Sequence, residues 1–338
     1  MGKIWSDKTI EAFFTLLRGG LEEKDIEYPL ILSEKEWEDI VYLASTQTVT
    51  GLVFRGVSHL PDGNDIPGQV LIKLMKKADG IARASARISE VRTRLEQVFN
   101  AEGLRPVVMK GPEVAVFYLH PELRECGDLD LYFPGSAFDK AVSTISSLGV
   151  RIMKSPDGSV RYLFDGIWID QHRRYYDLRR RDLPEVPSPY STLLMLSAHI
   201  LKQCMTSGVG LRLICEMAVA YRSLEGSYSK PVLAGIYSSA GLEQWNRLLA
   251  SFLSAHLGCN SHPYSSDTLP PPDPLMDIIL EGGNFGHHAD GRADAEKSSA
   301  LRRKTDTVRR ILKRLPFSLK YGRKEFFGYM ADLVRGNL

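Results

Sequence analysis

Apolar residues recur at helical spacing through most of the first hundred positions. Ser33 and Glu36 have the spacing of a capping box, and Trp37, Ile40, Val41 and Ala44 follow on one face of the helix they announce. A single long helix is expected from Pro67, which suits a first helical turn. Leu71, Leu74, Met75, Ala78, Ile81, Ala82, Ile88, Val91, Leu95, Val98 and Phe99 keep its period until Gly103 offers a stop. At about 1.5 Å per residue it would span on the order of 50 Å, enough to brace more than one layer.

The period changes after Gly103. Leu104 to Met109 is an apolar run of strand length, broken by Lys110-Gly111-Pro112, and Pro112 is placed to begin a helix through Val114, Phe117 and Leu119. Asp128 to Phe133 predicts a second strand, closed by Pro134-Gly135, and a helix is expected near Ala137 to Leu148. Val150 to Met153, Val160 to Phe164 and Ile167 to His172 are β-rich runs separated by Asp157-Gly158 and Asp165-Gly166, which are hairpin signals. From Pro189 the spacing is helical again. Leu193, Leu194, Leu196, Ala198 and Ile200 share one helix, Leu211 to Leu224 form another, and Gly208 and Gly210 stand between them. Residues 258–296 are rich in Pro, Gly and Asn and read as loop around one short apolar run, Leu275 to Leu280. The expected class is α+β: a helical region over 1–103, an α/β core over 104–187 and a C-terminal helical region over 188–338.

Composition narrows the function less than the pattern does. A chain of 338 residues with 43% hydrophobic and 25% charged positions has the make-up of a folded protein of about two domains, not of a disordered or collagen-like one. Its 43 Lys and Arg against 41 Asp and Glu give no overall attraction to nucleic acid or membrane. Four cysteines without CxxC spacing suggest thiols in a reducing compartment and no structural zinc. The longest apolar runs, such as Leu193 to Leu201, are far short of the roughly 20 residues of a membrane span. Lys3, Asp7, Lys8 and Glu11 interrupt any signal-peptide core, so a cytoplasmic protein is expected.

The sharpest chemistry is Gly127-Asp128-Leu129-Asp130-Leu131-Tyr132. Alternation in a strand puts Asp128 and Asp130 on one face and Leu129 and Leu131 on the other. Carboxylates so close repel unless a cation lies between them, and hard oxygen donors suit Mg²⁺ or Mn²⁺. Asp170, flanked by apolar residues in Ile167 to His172, is a third acid that the hairpins can bring alongside, to complete a metal site and take a proton from an attacking hydroxyl. Lys110 and Gly111 fall at a strand-to-helix turn where backbone N–H groups and an ammonium can hold a polyphosphate, and Arg124 is a further phosphate candidate.

Val108-Met109-Lys110-Gly111, Tyr118-Leu119-His120-Pro121, Leu123-Arg124 and Gly127-Asp128-Leu129-Asp130-Leu131 resemble, in order and spacing, the uncharacterised nucleotidyltransferase family of the polymerase-beta-like superfamily. Ile169-Asp170-Gln171-His172 resembles that family's acid-x-His strand. Ala198-His199 through Lys202, and Leu211 to Glu216, are similar to its downstream helices, with Glu216 where an aspartate is usual. The superfamily's Gly-Ser or Gly-Gly phosphate turn is Lys110-Gly111 here. The resemblance implies a polymerase-beta-like nucleotidyltransferase core, a small mixed sheet with flanking helices between N-terminal and C-terminal helical regions. It also implies metal-dependent transfer of a nucleoside monophosphate from a nucleoside triphosphate, ATP foremost, to an unknown acceptor hydroxyl, with release of pyrophosphate. Asp128, Asp130 and Asp170 would bind Mg²⁺ or Mn²⁺. Lys110, Gly111, Arg124, His199, Lys202 and Arg212 would hold the nucleotide. Two rival readings use the same residues: an inactive nucleotide-binding scaffold on this fold, and a D-x-D glycosyltransferase, which would need an α/β half before the triplet.

Two basic stretches add candidate nucleic-acid contacts. Arg173, Arg174, Arg179, Arg180 and Arg181 interleave with Tyr175 and Tyr176 (residues 173–181), a composition able to hold phosphates and stack on bases. Residues 297–324 carry 11 Lys or Arg against Asp306 alone, and Val308, Ile311, Leu312 and Leu315 predict a basic amphipathic helix there.

Overall fold

A computed structural model of the chain describes residues 5–155, 157–176, 178, 187–282, 309 and 311–334. Helix α1 (Asp7–Glu22) is capped by Ser6, whose side chain accepts from the Thr9 N–H, and α2 (Glu34–Thr46) opens with the reciprocal Ser33–Glu36 box that its sequence predicts. Helix α3 (Thr50–Ser58) lies against α1 at small residues. A Cβ on Gly56 would stand 1.9 Å from the Leu16 carbonyl oxygen, and one on Gly20 1.9 Å from that of Leu52. The long helix α4 runs Gly68–Ala101 as its periodicity predicts, burying Leu74, Ala78, Ile88, Val91, Leu95 and Phe99.

The sheet follows. Strand β1 (Val107–Val108) leads through a turn into the single-turn helix α5 (Pro112–Ala115), and then come β2 (Asp128–Tyr132), α6 (Ala137–Ser147), β3 (Ile152–Lys154), β4 (Val160–Phe164) and β5 (Ile167–His172). The order is β1-β2-β5-β4-β3, and β2–β5 is the parallel pair within it. Strand β1 is shorter than the apolar run, because Pro106 just before it has no N–H to give to a ladder. Helix α5 ends at Ala115, short of the expected Leu119, which is exposed, and Pro121 then opens a 3₁₀ turn.

The remaining elements are α7 (Pro189–Met205), α8 (Leu211–Ser223), α9 (Lys230–Ser239), α10 (Glu243–Leu257), α11 (Asp273–Gly282), α12 (Leu315–Tyr321) and α13 (Arg323–Val334). The Leu275 to Leu280 run, expected as an apolar patch in loop, lies inside α11. Leu275, Ile278 and Ile279 have helical spacing and are buried, and a run of six residues was too short to show that period. The expected loop character of 283–296 falls outside the described residues. No helix among the described residues is long and apolar enough to cross a membrane.

Two apolar cores result. The sheet, α6 and the end of α4 enclose one, with Phe99 and Phe133 edge to face at 4.8 Å. The other is shared by α1–α3 and the C-terminal helices, so both ends of the sequence build one support against which the sheet is set. The α1–α3 contact depends on Gly56, and Gly56→Ala should lower the thermal midpoint by an amount equivalent to about 1–3 kcal/mol. Gly80→Ala, in open space in the middle of α4, should raise it by up to about 1 kcal/mol. Calorimetry on the two variants reads both signs.

Candidate active site

Strand β2 does what its alternation dictates: Leu129 and Leu131 are buried in the sheet core while Asp128 and Asp130 take the opposite face. Parallel pairing then sets Asp130 opposite Asp170 and Asp128 opposite Trp168. Strand β5 is held in that orientation from below, where buried Gln171 accepts from the Tyr162 hydroxyl and donates to the Phe138 carbonyl. Three carboxylates therefore share one face of two neighbouring strands.

They line a cleft of about 480 Å³. The other six predicted site residues line it too: Lys110 and Gly111 from the turn after β1, Arg124 from the loop before β2, His199 and Lys202 from α7, and Arg212 from α8. Gly111 has φ +66°, and a Cβ there would meet the Cys126 sulfur at 3.2 Å, so the turn requires glycine.

The acids are not equivalent. Asp130 Oδ1 accepts from His172 Nε2 at 2.7 Å and lies 3.4 Å from Lys110 Nζ. Burial pushes its pKa up, but the Lys110 charge and the His172 hydrogen bond outweigh burial and hold it below the ordinary carboxylate value. Asp170 goes the other way. Burial and then the charge of Asp130 push it up to about 6, against the pull of Arg161, whose Nε is 3.4 Å from Oδ1. Asp128 is raised by burial and by Asp130.

Cationic groups complete the cleft. Arg124 is buried and gives Nε and Nη2 to Glu216 Oε1 of α8 at 3.1 and 2.6 Å. Its Nη1 is buried with no hydrogen-bond partner. Arg212 donates Nη1 to the Glu125 carbonyl at 3.0 Å and leaves Nε without one; Arg161 Nε is in ion-pair range of Asp170 yet makes no hydrogen bond. Buried donors in this condition have hydrogen bonds left to give to water or to an anionic ligand.

Among the described residues, no three His, Cys, Asp or Glu side chains are gathered closely enough to hold a metal ion. Asp130 faces His172 and Lys110, and Asp170 faces Arg161. In kind the donors fit a hard divalent cation, since Asp128 and Asp170 are desolvated carboxylates with raised proton affinity, and a cation would take the proton's place.

Two further residues contribute. His172, the histidine of the acid-x-His strand, follows Asp170 by two residues and so shares its face. Arg161 was also findable: the Asp165-Gly166 turn, with φ of 48° and 82°, sets Phe164 against Ile167, and counting back sets Arg161 against Asp170.

The basic stretches take other forms. Tyr175 and Tyr176 are buried, edge to face with one another at 5.1 Å, so they pack in the core and do not offer rings to bases. Arg173 pairs with Asp139 at 2.5 Å and Arg174 donates to the Leu178 carbonyl. Arg179, Arg180 and Arg181 lie outside the described residues, as do 297–308. Of the expected amphipathic face over 308–315, the described residues keep part: Ile311 is buried and Lys313 exposed. Leu312 is exposed while Arg314 is buried on the Gln203 and Cys204 carbonyls, because Pro316 starts a new helix, α12, and resets the face.

Residues 33–185 match the uncharacterised nucleotidyltransferase family. The matched segment runs from α2 past β5 and holds Lys110, Gly111, Arg124 and all three acids, whereas α7 and α8 with His199, Lys202, Arg212 and Glu216 lie beyond it. No curated protein and no solved structure gives a significant match. The mixed α and β architecture with its small five-stranded sheet is consistent with a nucleotidyltransferase domain.

Two stability measurements follow from these charges. The folded pKa of Asp170 lies above the unfolded value of about 3.9, so this acid disfavours folding once it must ionise. The stability is full near pH 4 and declines as pH rises through about 6. In chelator, Asp170→Asn should therefore be more stable than the parent at pH 8 by on the order of 1 kcal/mol and equal to it at pH 4, read from urea midpoints. Breaking the buried pair by Glu216→Ala should cost about 3–5 kcal/mol, while replacing both partners, Arg124→Met with Glu216→Leu, should cost far less.

Proposed function

We propose that the cleft transfers a nucleoside monophosphate from a nucleoside triphosphate, ATP foremost, to an acceptor hydroxyl. The observation that carries this reading is the β2–β5 register, which holds Asp130 and Asp170 side by side with Asp128 on the same face. Family membership of the segment suggests nucleotidyl transfer in general terms. The D-x-D glycosyltransferase reading has less support, because the four elements before β1 are all helices where it needs an α/β half.

In this reading Lys110, Arg124 Nη1 and Arg212 Nε bind triphosphate oxygens, the last two being donors that nothing else satisfies. The acceptor oxygen attacks the α-phosphorus. A new P–O bond forms, the bond from the α-phosphorus to the bridging oxygen breaks, and pyrophosphate leaves with that electron pair. The hydroxyl proton goes to an Asp170 oxygen. Burial and the neighbouring Asp130 make Asp170 more basic than an ordinary carboxylate before a cation binds. His172 and Lys110 keep Asp130 ionised. Mg²⁺ or Mn²⁺, held by Asp128, Asp130 and Asp170, would supply Lewis acidity at the transferred phosphoryl group.

Incubation with each α-labelled triphosphate, Mg²⁺ or Mn²⁺ and a lysate should give label transfer that Asp128→Asn abolishes. Asp170→Asn should lower kcat by about 10²–10⁴-fold. Triphosphate binding without transfer under every condition would favour the scaffold reading instead.

A further inference from the structure

The Lys110-Gly111 turn and Asp170 lie on opposite flanks of β2, and this bears on where an acceptor enters. In the order β1-β2-β5-β4-β3, Lys110 and Gly111 are beside β1, whereas Asp170 is on β5, next to β4. In-line displacement puts the entering oxygen opposite the leaving pyrophosphate. An acceptor therefore comes in over β5, β4 and β3.

That part of the sheet face is open and chemically distinctive. Leu163 pairs with Trp168, and Trp168 pairs with Asp128. In the next row Met153 pairs with Arg161, and Arg161 with Asp170. Residues paired across neighbouring strands share a face, so Trp168, Leu163 and Met153 stand beside the acids. They are 38%, 48% and 40% exposed, which is unusual for side chains of this size on a sheet. The Arg161 guanidinium lies over the Trp168 ring, 4.9 Å from its centroid. Arg151 is exposed two residues before Met153, and Arg87 and Arg94 of α4 reach the hairpin tip, to the Asp165 carbonyl at 3.1 Å and its carboxylate at 2.9 Å. Arg161 and Arg151 are thus the cations of the patch itself, whereas Arg87 and Arg94 pair with Glu90 and Asp165 at the hairpin tip.

We propose that this patch is the acceptor platform of the cleft and that the acceptor is the 3′ end of a single-stranded RNA. The proposal rests on the nucleotidyltransferase reading and adds the substrate class to it. The terminal base stacks on Trp168 against the apolar floor of Leu163 and Met153. Backbone phosphates meet the arginines, and the 3′-hydroxyl reaches Asp170, to which it gives its proton while its oxygen bonds to the α-phosphorus and pyrophosphate departs. The exposed ring and aliphatic floor, with Arg161 and Arg151 beside them, suit a planar base joined to phosphates better than a bare sugar.

The probe is a short single-stranded RNA with a free 3′-hydroxyl and a 5′ fluorescein, added to the full chain. Of the other tryptophans, Trp37 and Trp245 are buried and Trp5 packs on Tyr42 at 5.7 Å, so quenching of the exposed Trp168 reports stacking. Binding should quench tryptophan emission. Trp168→Ala should weaken it about tenfold, Trp168→Phe should retain most of it, and Leu163→Glu, an exposed position that leaves the ring in place, should weaken it comparably. Equal affinity of all variants, or no binding by the parent chain, overturns the platform. The two readings fail separately. Loss of RNA binding with label transfer to another acceptor removes the RNA proposal alone, and Trp168-dependent binding without any transfer removes the nucleotidyltransferase reading alone.

Discussion

The parallel pairing of β2 with β5 forces two carboxylates into neighbouring positions on a half-buried face. With Asp128 on the same face, that arrangement opposes folding, since like charges at such spacing raise one another's proton affinity. The chain tolerates it by surrounding the acids with cations and hydrogen-bond donors. Lys110 and His172 serve Asp130, and Arg161 stands against Asp170. Neutralisation is uneven, and the unevenness differentiates the acids: Asp130 is kept ionised, and Asp170 is left with a pKa near that of a useful base.

Rigidity around the acids comes from the helical support. The Arg124–Glu216 pair ties the loop before β2 to α8, and Arg212 reaches from α8 to the Glu125 carbonyl in that same loop. Gln47, at the end of α2, accepts from the Leu211 N–H at the start of α8 and donates to the Ile279 carbonyl of α11. Side chains from sequence-distant helices thus fix the strand entry next to Asp128, and they do so with buried polar groups that lose much if one partner is removed. Buried donors in this network are left unsatisfied at Arg124 Nη1 and Arg212 Nε, in two residues that line the cleft.

Much of this could be read from the chain. The long helix, the β2 alternation and the Asp165-Gly166 turn are local signals with one dominant cause each, and the structure follows them. What escaped was set by tertiary partners. Arg124 has nothing in its neighbourhood to announce a buried partner 92 residues away. The tyrosines at 175 and 176 look exposed beside arginines and are buried because α7 and the sheet close over them. The apolar spacing from 308 to 315 reads as one face only if Pro316 is ignored. Alternation and hairpin pairing put the three acids on one face, whereas the groups that engage Asp130 depend on contacts across the sheet and on the turn after β1.

The central claim is that the face bearing Asp128, Asp130 and Asp170 receives a metal-bound triphosphate whose phosphates point to Gly111. A crystal structure with Mn²⁺ and a non-hydrolysable triphosphate analogue, its ions located by anomalous scattering, tests that most directly. The account predicts manganese coordinated by oxygens of all three aspartates, with Arg124 Nη1 and Arg212 Nε on phosphate oxygens. Manganese and analogue bound elsewhere, with Asp130 still engaged by His172 and Lys110, would contradict it.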